Sequence, residues 1–306
     1  MANISVPGNL FQGTGTGAVL EGLPEDDVLT GGNRNDTLFG FGGSDDFYGW
    51  RGDDVIFAGD GDDGPDSGLF VVTQGGAGND TIYGEAGNDG LNGNEDDDFI
   101  FGDSLPFDLV GNDTILGGQG NDVIAAGDGS DVIGGDGDDA DGNDLIFANK
   151  GDDVIQEDEG NDTIYGGQGS DILVGGDGDD FLSGDLGADF MQGLEGNDTF
   201  VLRDDNPSSV DWILDYEDGK DKIGLPGDLT FEDLSFSTAT GSEVITGYPG
   251  NTNTEALFGA VGLSVEFWNG DMIGPGDIQV SVASTGQLFA VLYNVSISDL
   301  DSSDFI

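Results

Sequence analysis

The sequence predicts an all-β fold, a parallel β-roll of short strands with a β-rich carboxy-terminal capping domain, and three observations predict it. First, between Gly22 and Val201 a nine-residue unit ending in Asp-x-(large apolar)-x recurs seventeen times, and one degenerate copy raises the repeat aspartates to eighteen. Second, the unit opens with a glycine-rich stretch of six residues, as a turn needs where φ is positive or where backbone atoms must approach closely. Third, its last three positions alternate outward, inward, outward with the period of a strand. A fixed repeat of this length marks a solenoid, in which each unit buries its apolar residue only against neighbouring units.

The elements follow in chain order. Residues 13–21 thread as a nineteenth unit with Leu20 at position eight, but Ala18 stands where aspartate is expected. Residues 1–21 are therefore read as an amino-terminal cap. Residues 22–201 form the roll. Its position-six aspartates are Asp27, Asp36, Asp45, Asp54, Asp63, Asp80, Asp89, Asp98, Asp113, Asp122, Asp131, Asp144, Asp153, Asp162, Asp171, Asp180, Asp189 and Asp198. Position eight carries a large apolar residue in all seventeen clean units, from Leu29 to Phe200, which makes a thin core. With two units per turn, units n and n+2 share an edge, and their carboxylates face one another about one strand spacing apart, roughly 4.8 Å.

The cleanest copies read GWRGDDVIF at Gly49–Phe57, GGAGNDTIY at Gly75–Tyr83 and GGQGSDILV at Gly166–Val174. They fit G-G-x-G-x-D-x-U-x and resemble the calcium-binding nonapeptide of RTX proteins. The resemblance implies Ca2+ between stacked turns, held by the facing position-six carboxylates and by turn carbonyls. That donor set suits a hard cation that takes six to eight oxygens. Eighteen turns offer sixteen same-edge pairs, six of them involving a lengthened turn, so about 10–16 ions are expected.

Spacing locates the lengthened turns. Asp63 to Asp80 spans seventeen residues, Asp98 to Asp113 fifteen and Asp131 to Asp144 thirteen, against the regular nine. Leu69-Phe70-Val71 is read as the strand between Asp63 and Asp80, and the two edges are expected to keep alternating through all three insertions.

Composition narrows the function classes. The chain has 63 acidic and 6 basic residues, a net charge of −57, no histidine and no cysteine. Phosphate binding needs clustered Lys and Arg, which excludes nucleic acid as a partner. Residues 1–201 alone carry 45 acids and 3 bases, net −42, and a glycine-rich chain so charged repels itself unless counter-ions join the fold. The expected ions offset about half to three-quarters of that charge. Without cysteine, disulfides are excluded as staples. Residues 1–20 contain neither a basic, apolar secretory leader nor a membrane span. The RTX resemblance instead implies type I secretion through a carboxy-terminal signal, and the tail Ser302-Ser303-Asp304-Phe305-Ile306 has a matching hydroxylated, acidic and apolar ending.

Outward position nine carries a second pattern. On alternate strands it reads Phe39, Phe57, Tyr83, Phe101, Ala125, Phe147, Tyr165, Ser183 and Val201. One sheet is thus expected to carry a ladder of rings, covered either by the chain's own carboxy-terminal segment or by a partner surface. Past Val201 the glycines thin out. Residues 210–225, with Trp212, Asp215, Tyr216 and Asp221, resemble the D-x-I-x-D-(F/Y)-x-x-G-x-D-x-I-x-L block that caps RTX arrays in serralysin-type proteins. Residues 202–306 are therefore read as a capping and secretion-signal domain, with no counterpart recognised for residues 241–276.

No catalytic constellation emerges. Zinc-protease and Ser-His or Cys-His chemistry need histidine, no G-x-S-x-G elbow occurs, and the G-x-G triplets lie in turns with no helix after them. With 63 acids, a carboxylate pair for glycoside hydrolysis carries no signal. The chain is expected to be non-enzymatic. The leading expectation is an extracellular building block of a surface layer, matrix or filament, assembling with copies of itself in calcium. The alternative is a monomeric calcium-dependent module that binds cell-surface polysaccharide or mediates adhesion through Trp50, Trp212 or Trp268.

Overall fold

The computed structural model describes residues 10–13, 17–63, 73–103, 110–134, 142–203, 209–238, 278–285, 288–293 and 295–306. It contains two compact units, Met1–Lys150 and Gly151–Ile306. In the first, the described strands are β1 (Leu10–Gln12), β2 (Val19–Glu21), β3 (Val28–Gly32), β4 (Thr37–Gly42), β5 (Asp46–Arg51), β6 (Val55–Asp60), β7 (Thr73–Ala77), β8 (Thr81–Ala86), β9 (Gly90–Glu95), β10 (Phe99–Phe101), β11 (Thr114–Gln119), β12 (Val123–Asp128), β13 (Val132–Gly134) and β14 (Leu145–Lys150). Odd strands pair only with odd, in the order β1-β3-β5-β7-β9-β11-β13, and even only with even, β2-β4-β6-β8-β10-β12-β14. All of these pairings that are resolved strand by strand are parallel. This is the predicted roll, with two units to the turn.

Register comes from the apolar residue at position eight. Leu29 lies opposite Phe47, Leu38 opposite Ile56, Ile82 opposite Ile100 and Ile115 opposite Ile133. Each is sealed from solvent, while the residues on either side of it face outward and are partly or fully exposed. A slip of one residue would turn every one of these side chains out, so the strands hold their register tightly. At the amino-terminal end Leu20 pairs with Leu38, and the amide of Ala18 donates to the Asp36 carboxylate in place of an aspartate amide. β1 adds a further strand, pairing Phe11 with Leu29.

One strand differs from its expected place. Leu69-Phe70-Val71 lies outside the described residues, and the strand between β5 and β9 begins at Thr73, which sits opposite Phe47 and Leu91. The turn decides this. Gly75 opens the next nonapeptide, so positions eight and nine are Thr73 and Gln74, whatever apolar residues precede them. The consequence is a fully buried threonine whose hydroxyl has no hydrogen-bond partner among the described residues.

In the second unit the described strands are β15 (Val154–Gln156), β16 (Thr163–Gln168), β17 (Ile172–Asp177), β18 (Phe181–Leu186), β19 (Phe190–Glu195), β20 (Thr199–Val201), β21 (Asp211–Ile213), β22 (Lys222–Gly224), β23 (Leu234–Thr238), β24 (Ile278–Val282) and β25 (Leu288–Leu292). One sheet runs β15-β17-β19-β21-β25-β24-β23 and the other β16-β18-β20-β22. Strand pairing thus continues past Val201, with Met191 opposite Ile213 and Phe200 opposite Ile223. The parallel pattern then stops. β24 runs antiparallel to both β23 and β25, and the chain's last residues lie along β22, where Ile223 donates to Asp304 (2.7 Å) and receives the amide of Ile306 (3.0 Å). Both changes occupy sheet edges that would otherwise template further strands. Outward residues are also covered here: Val154, Ile172 and Phe190 form a buried row under Trp212 and Leu214.

Replacing Thr73 with valine should raise the thermal midpoint of the calcium-loaded protein, because it removes a buried hydroxyl whose burial costs about 1–3 kcal/mol and keeps the shape. A scanning-calorimetry midpoint that falls would show that the hydroxyl has a partner in solution.

Candidate metal centre

All eighteen repeat aspartates occupy the same place in their turns and are buried, none more than 5% exposed. Within each unit they form ladders along the two edges. In the first unit the amide of Asp27 donates to Oδ1 of Asp45 (2.7 Å), Asp45 to Asp63 (2.8 Å), Asp63 to Asp89 (2.8 Å), Asp89 to Asp113 (2.9 Å) and Asp113 to Asp131 (2.8 Å). On the other edge Asp36, Asp54, Asp80, Asp98, Asp122 and Asp144 are linked in the same way at 2.6–2.8 Å. The links across the lengthened turns join residues 22 to 26 apart and those across regular turns residues 18 apart, at similar lengths. The ladder is therefore unbroken across the three insertions. In the second unit Asp153, Asp171 and Asp189 form one run, and Asp162, Asp180 and Asp198 the other.

Two members of these ladders were missed by the repeat pattern. Oδ1 of Asp211 accepts the amide of Asp189 (3.3 Å), and Oδ1 of Asp221 accepts that of Asp198 (3.0 Å). The signal was present as Asp211-Trp212-Ile213 and Asp221-Lys222-Ile223, which keep the Asp-x-(apolar) triplet after the glycine turn has been lost.

The second carboxylate oxygen carries the chemistry. In Asp45, Asp54, Asp63, Asp80, Asp89, Asp98, Asp113, Asp122, Asp171 and Asp180, Oδ2 is buried and meets no donor among the described residues. At two ladder ends the same oxygen does meet one: Leu23 donates to Oδ2 of Asp27 (2.5 Å) and Glu217 to Oδ2 of Asp221 (2.7 Å). A buried anionic oxygen without a donor is costly unless a cation answers it.

Position four supplies a second kind of oxygen. On Gly61, Gly87, Gly129, Gly169, Gly178 and Gly187 an added Cβ would lie 1.4–1.8 Å from the carbonyl oxygen of the position-four glycine one turn before. Those carbonyls stack in columns, and no side chain fits between them. Among the described residues no three carboxylates gather at one point, so the donors available to an ion between turns are paired carboxylates and turn carbonyls. All-oxygen donors in that mixture fit calcium.

Burial governs the carboxyl pKa values. Desolvation raises Asp54, Asp63, Asp80 and Asp180 from the ordinary 3.8 to about 7, against the lowering effect of the amide each accepts. It carries Asp89 and Asp171 to about 9, with the charges of neighbouring ladder aspartates adding to the rise.

A second ladder runs outside the first, from position five, with its hydrogen bonds reversed. The amides of Ser44, Asn79, Asn88 and Asn121 donate back to Oδ1 of Asp26, Asp53, Asp62 and Asp97, one turn earlier (2.8–3.2 Å). Bonds from Asn121 and Asn197 hold the exposed carboxyls of Asp97 and Asp179 below the ordinary carboxylate range.

The ring ladder is present. Phe39, Phe57, Tyr83 and Phe101 stack in succession on the even-numbered sheet at centroid distances of 4.9, 4.9 and 5.0 Å, within 9° of parallel. All four are half-buried. Of the three tryptophans, Trp212 stacks on Phe190 at 5.7 Å, Trp268 lies outside the described residues, and Trp50 is exposed.

A parallel two-sheet roll with stacked aspartate turns defines a class of repeat protein built around cations. The family model for the RTX calcium-binding nonapeptide repeat (4 copies) matches residues 21–56, 51–64, 74–104, 109–140, 140–173 and 165–200. These segments cover more than half of the chain, which belongs to this calcium-binding family. No curated protein matches it.

The raised pKa values give a pH dependence with a definite sign. A buried carboxyl whose folded pKa lies above its unfolded value stabilises the metal-free roll fully below about pH 4, and that contribution disappears as pH rises through the folded values, 6 to 9. Metal-stripped protein should keep β-structure near pH 4 and lose it between pH 6 and 9, and calcium should restore it with release of protons. Circular dichroism of the stripped protein that is identical at pH 4 and pH 9 would contradict this.

Proposed function

We propose that the protein is a secreted, non-enzymatic building block whose roll forms on meeting calcium outside the cell and then associates with copies of itself. The ligands are the eighteen repeat aspartates, joined by Asp211, with about 10–16 ions shared between turns. The observation that carries the calcium step is the run of buried Oδ2 atoms without donors. Export by type I secretion is consistent with the tail, because Asp304 and Phe305 are buried in the folded protein and open to a transporter only in the unfolded chain.

The ring ladder supports self-association over saccharide binding at that face. Near-parallel rings about 5 Å apart cover one another's faces and leave edges outward, which suits packing against a second apolar surface and not stacking on a sugar.

Changing Phe57 and Phe101 together to serine should abolish calcium-induced assembly, seen as a shift to monomer in sedimentation velocity, and leave calcium-induced β-structure intact. A double mutant that assembles normally in calcium disproves self-association through this face. One that stays monomeric like the parent but melts earlier assigns the stripe to contacts within the chain.

A further inference from the structure

Residues 1–20 carry no charged side chain, in a chain of 63 acidic and 6 basic residues. Within this stretch and its continuation to Glu21 lie β1 and β2, which begin the odd-numbered and the even-numbered sheet. The two strands lie together, so both sheets of the first unit start at one end of the roll. The aspartate ladder stops short of that end: Ala18 gives its amide to Asp36 and supplies no carboxylate of its own.

Both strands keep one edge open among the described residues. Gly13 donates to Thr30 (2.8 Å), Gly22 to Phe39 (2.7 Å) and Thr37 to Ala18 (2.8 Å). Backbone groups alternate in direction along a strand, so the N–H and C=O of Leu10 and Gln12 on β1, and of Val19 and Glu21 on β2, point away from the roll. Leu10 and Val19 are 68% and 65% exposed. Leu20, at position eight, is partly open, whereas Leu38 in the next turn is sealed. Natural sheets blunt such edges with charge, proline or a covering segment. In the second unit the outer side of β22 has that cover, from the tail residues bonded to Ile223, and the other sheet ends in β23.

We infer that the end formed by β1 and β2 pairs with the same end of a second copy of this chain. Charge selects the occupant. A chain of net charge −57 resists its own copies over most of its surface, but at this end Glu21 is the one charged residue on either strand. Matching of edges selects the orientation. A twofold axis sets two bare edges on two bare edges and brings the strands together antiparallel. Head-to-tail contact would instead meet the tail-covered side of β22. Pairing seals Leu20 and closes after two copies, so this contact makes a dimer and not a filament.

The contact is small. Two three-residue strands per copy fall well short of the roughly 1,200 Å2 that stable interfaces bury. In dilute solution it therefore rests on the self-association proposed for the ring ladder, which raises the local concentration of copies.

The chain has no cysteine, so a single introduced thiol reports a single position. Full-length Gln12→Cys and Ser237→Cys, the second on β23, are treated in calcium with a short bismaleimide, separately and as an equal mixture. Gln12→Cys chains should link to one another, and links between positions 12 and 237 should be scarce. Adding Leu10→Pro and Glu21→Pro removes one outward donor from each edge and keeps the groups that face β3 and β4. This should lower 12-to-12 linking about tenfold or more, with calcium-dependent circular dichroism unchanged. Links from 12 to 237 in place of 12 to 12, undiminished linking in the folded proline variant, or no 12-to-12 link in chains that sediment as assemblies overturns the inference and leaves self-association standing. Parent chains that do not assemble in dilute solution remove the ring-ladder reading alone. The end contact is then decided at the highest soluble concentration, where 12-to-12 dimers uphold it and unlinked monomers overturn it.

Discussion

The stack of aspartates is the constraint to which the other features answer. Carboxylates such as those of Asp63 and Asp98 use one oxygen to accept the amide of the aspartate one turn earlier and turn the other into a space that holds no protein donor among the described residues. The first oxygen makes the ladder regular, and the second makes it incomplete. Brought together without ions, these buried anions repel, and burial raises their carboxyl pKa values, that of Asp80 to about 7 and that of Asp89 to about 9. The apolar core is one residue deep per strand, so it has little surplus to set against that cost and against the entropy of ordering so many glycines. The calcium that this family's repeat binds answers that cost.

The same constraint explains the residues next to the ladder. At Gly61, Gly87, Gly129, Gly169 and Gly178 position four must be glycine, because a Cβ would occupy the place of the preceding turn's carbonyl oxygen. The turn in turn sets where each strand starts, which is why Thr73 lies in the core despite the more apolar Leu69-Phe70-Val71 just before it. Insertions are accommodated because they leave the aspartate ladder intact: the hydrogen bonds across the lengthened turns are as short as those across regular turns.

Most of the roll was legible in the sequence because its period is rigid. Position eight predicted the core from Leu29 to Phe200, and position nine predicted the ring ladder of Phe39, Phe57, Tyr83 and Phe101. The reading weakened where the glycine turn and the Asp-x-(apolar) triplet separate. Asp211 and Asp221 keep the triplet without the turn, so a search tied to glycine passes over them. At Thr73 the turn remains and the apolar residue is lost, so a search tied to apolar residues slips by three. Burial of the tail against β22 has no periodic signature, since it depends on pairing between Ile223 and residues some eighty positions away.

The outer ladder shows a limit on how much charge the edges can hold. The inner row already places an acid in every turn. Along position five, aspartates alternate with neutral residues: Asn35, Asp53, Asn79, Asp97 and Asn121 on one edge, Asp26, Ser44 and Asp62 on the other. Within each unit no two position-five aspartates are adjacent along an edge. Where an asparagine sits beside an aspartate, its amide often donates directly, as from Asn88 to Asp62 (3.1 Å) and from Asn197 to Asp179 (2.6 Å). Facing carboxylates at one strand spacing repel unless a cation lies between them. The alternation removes that repulsion by composition, so the outer row can hold adjacent turns in register through hydrogen bonds alone, while the inner row waits for its ions.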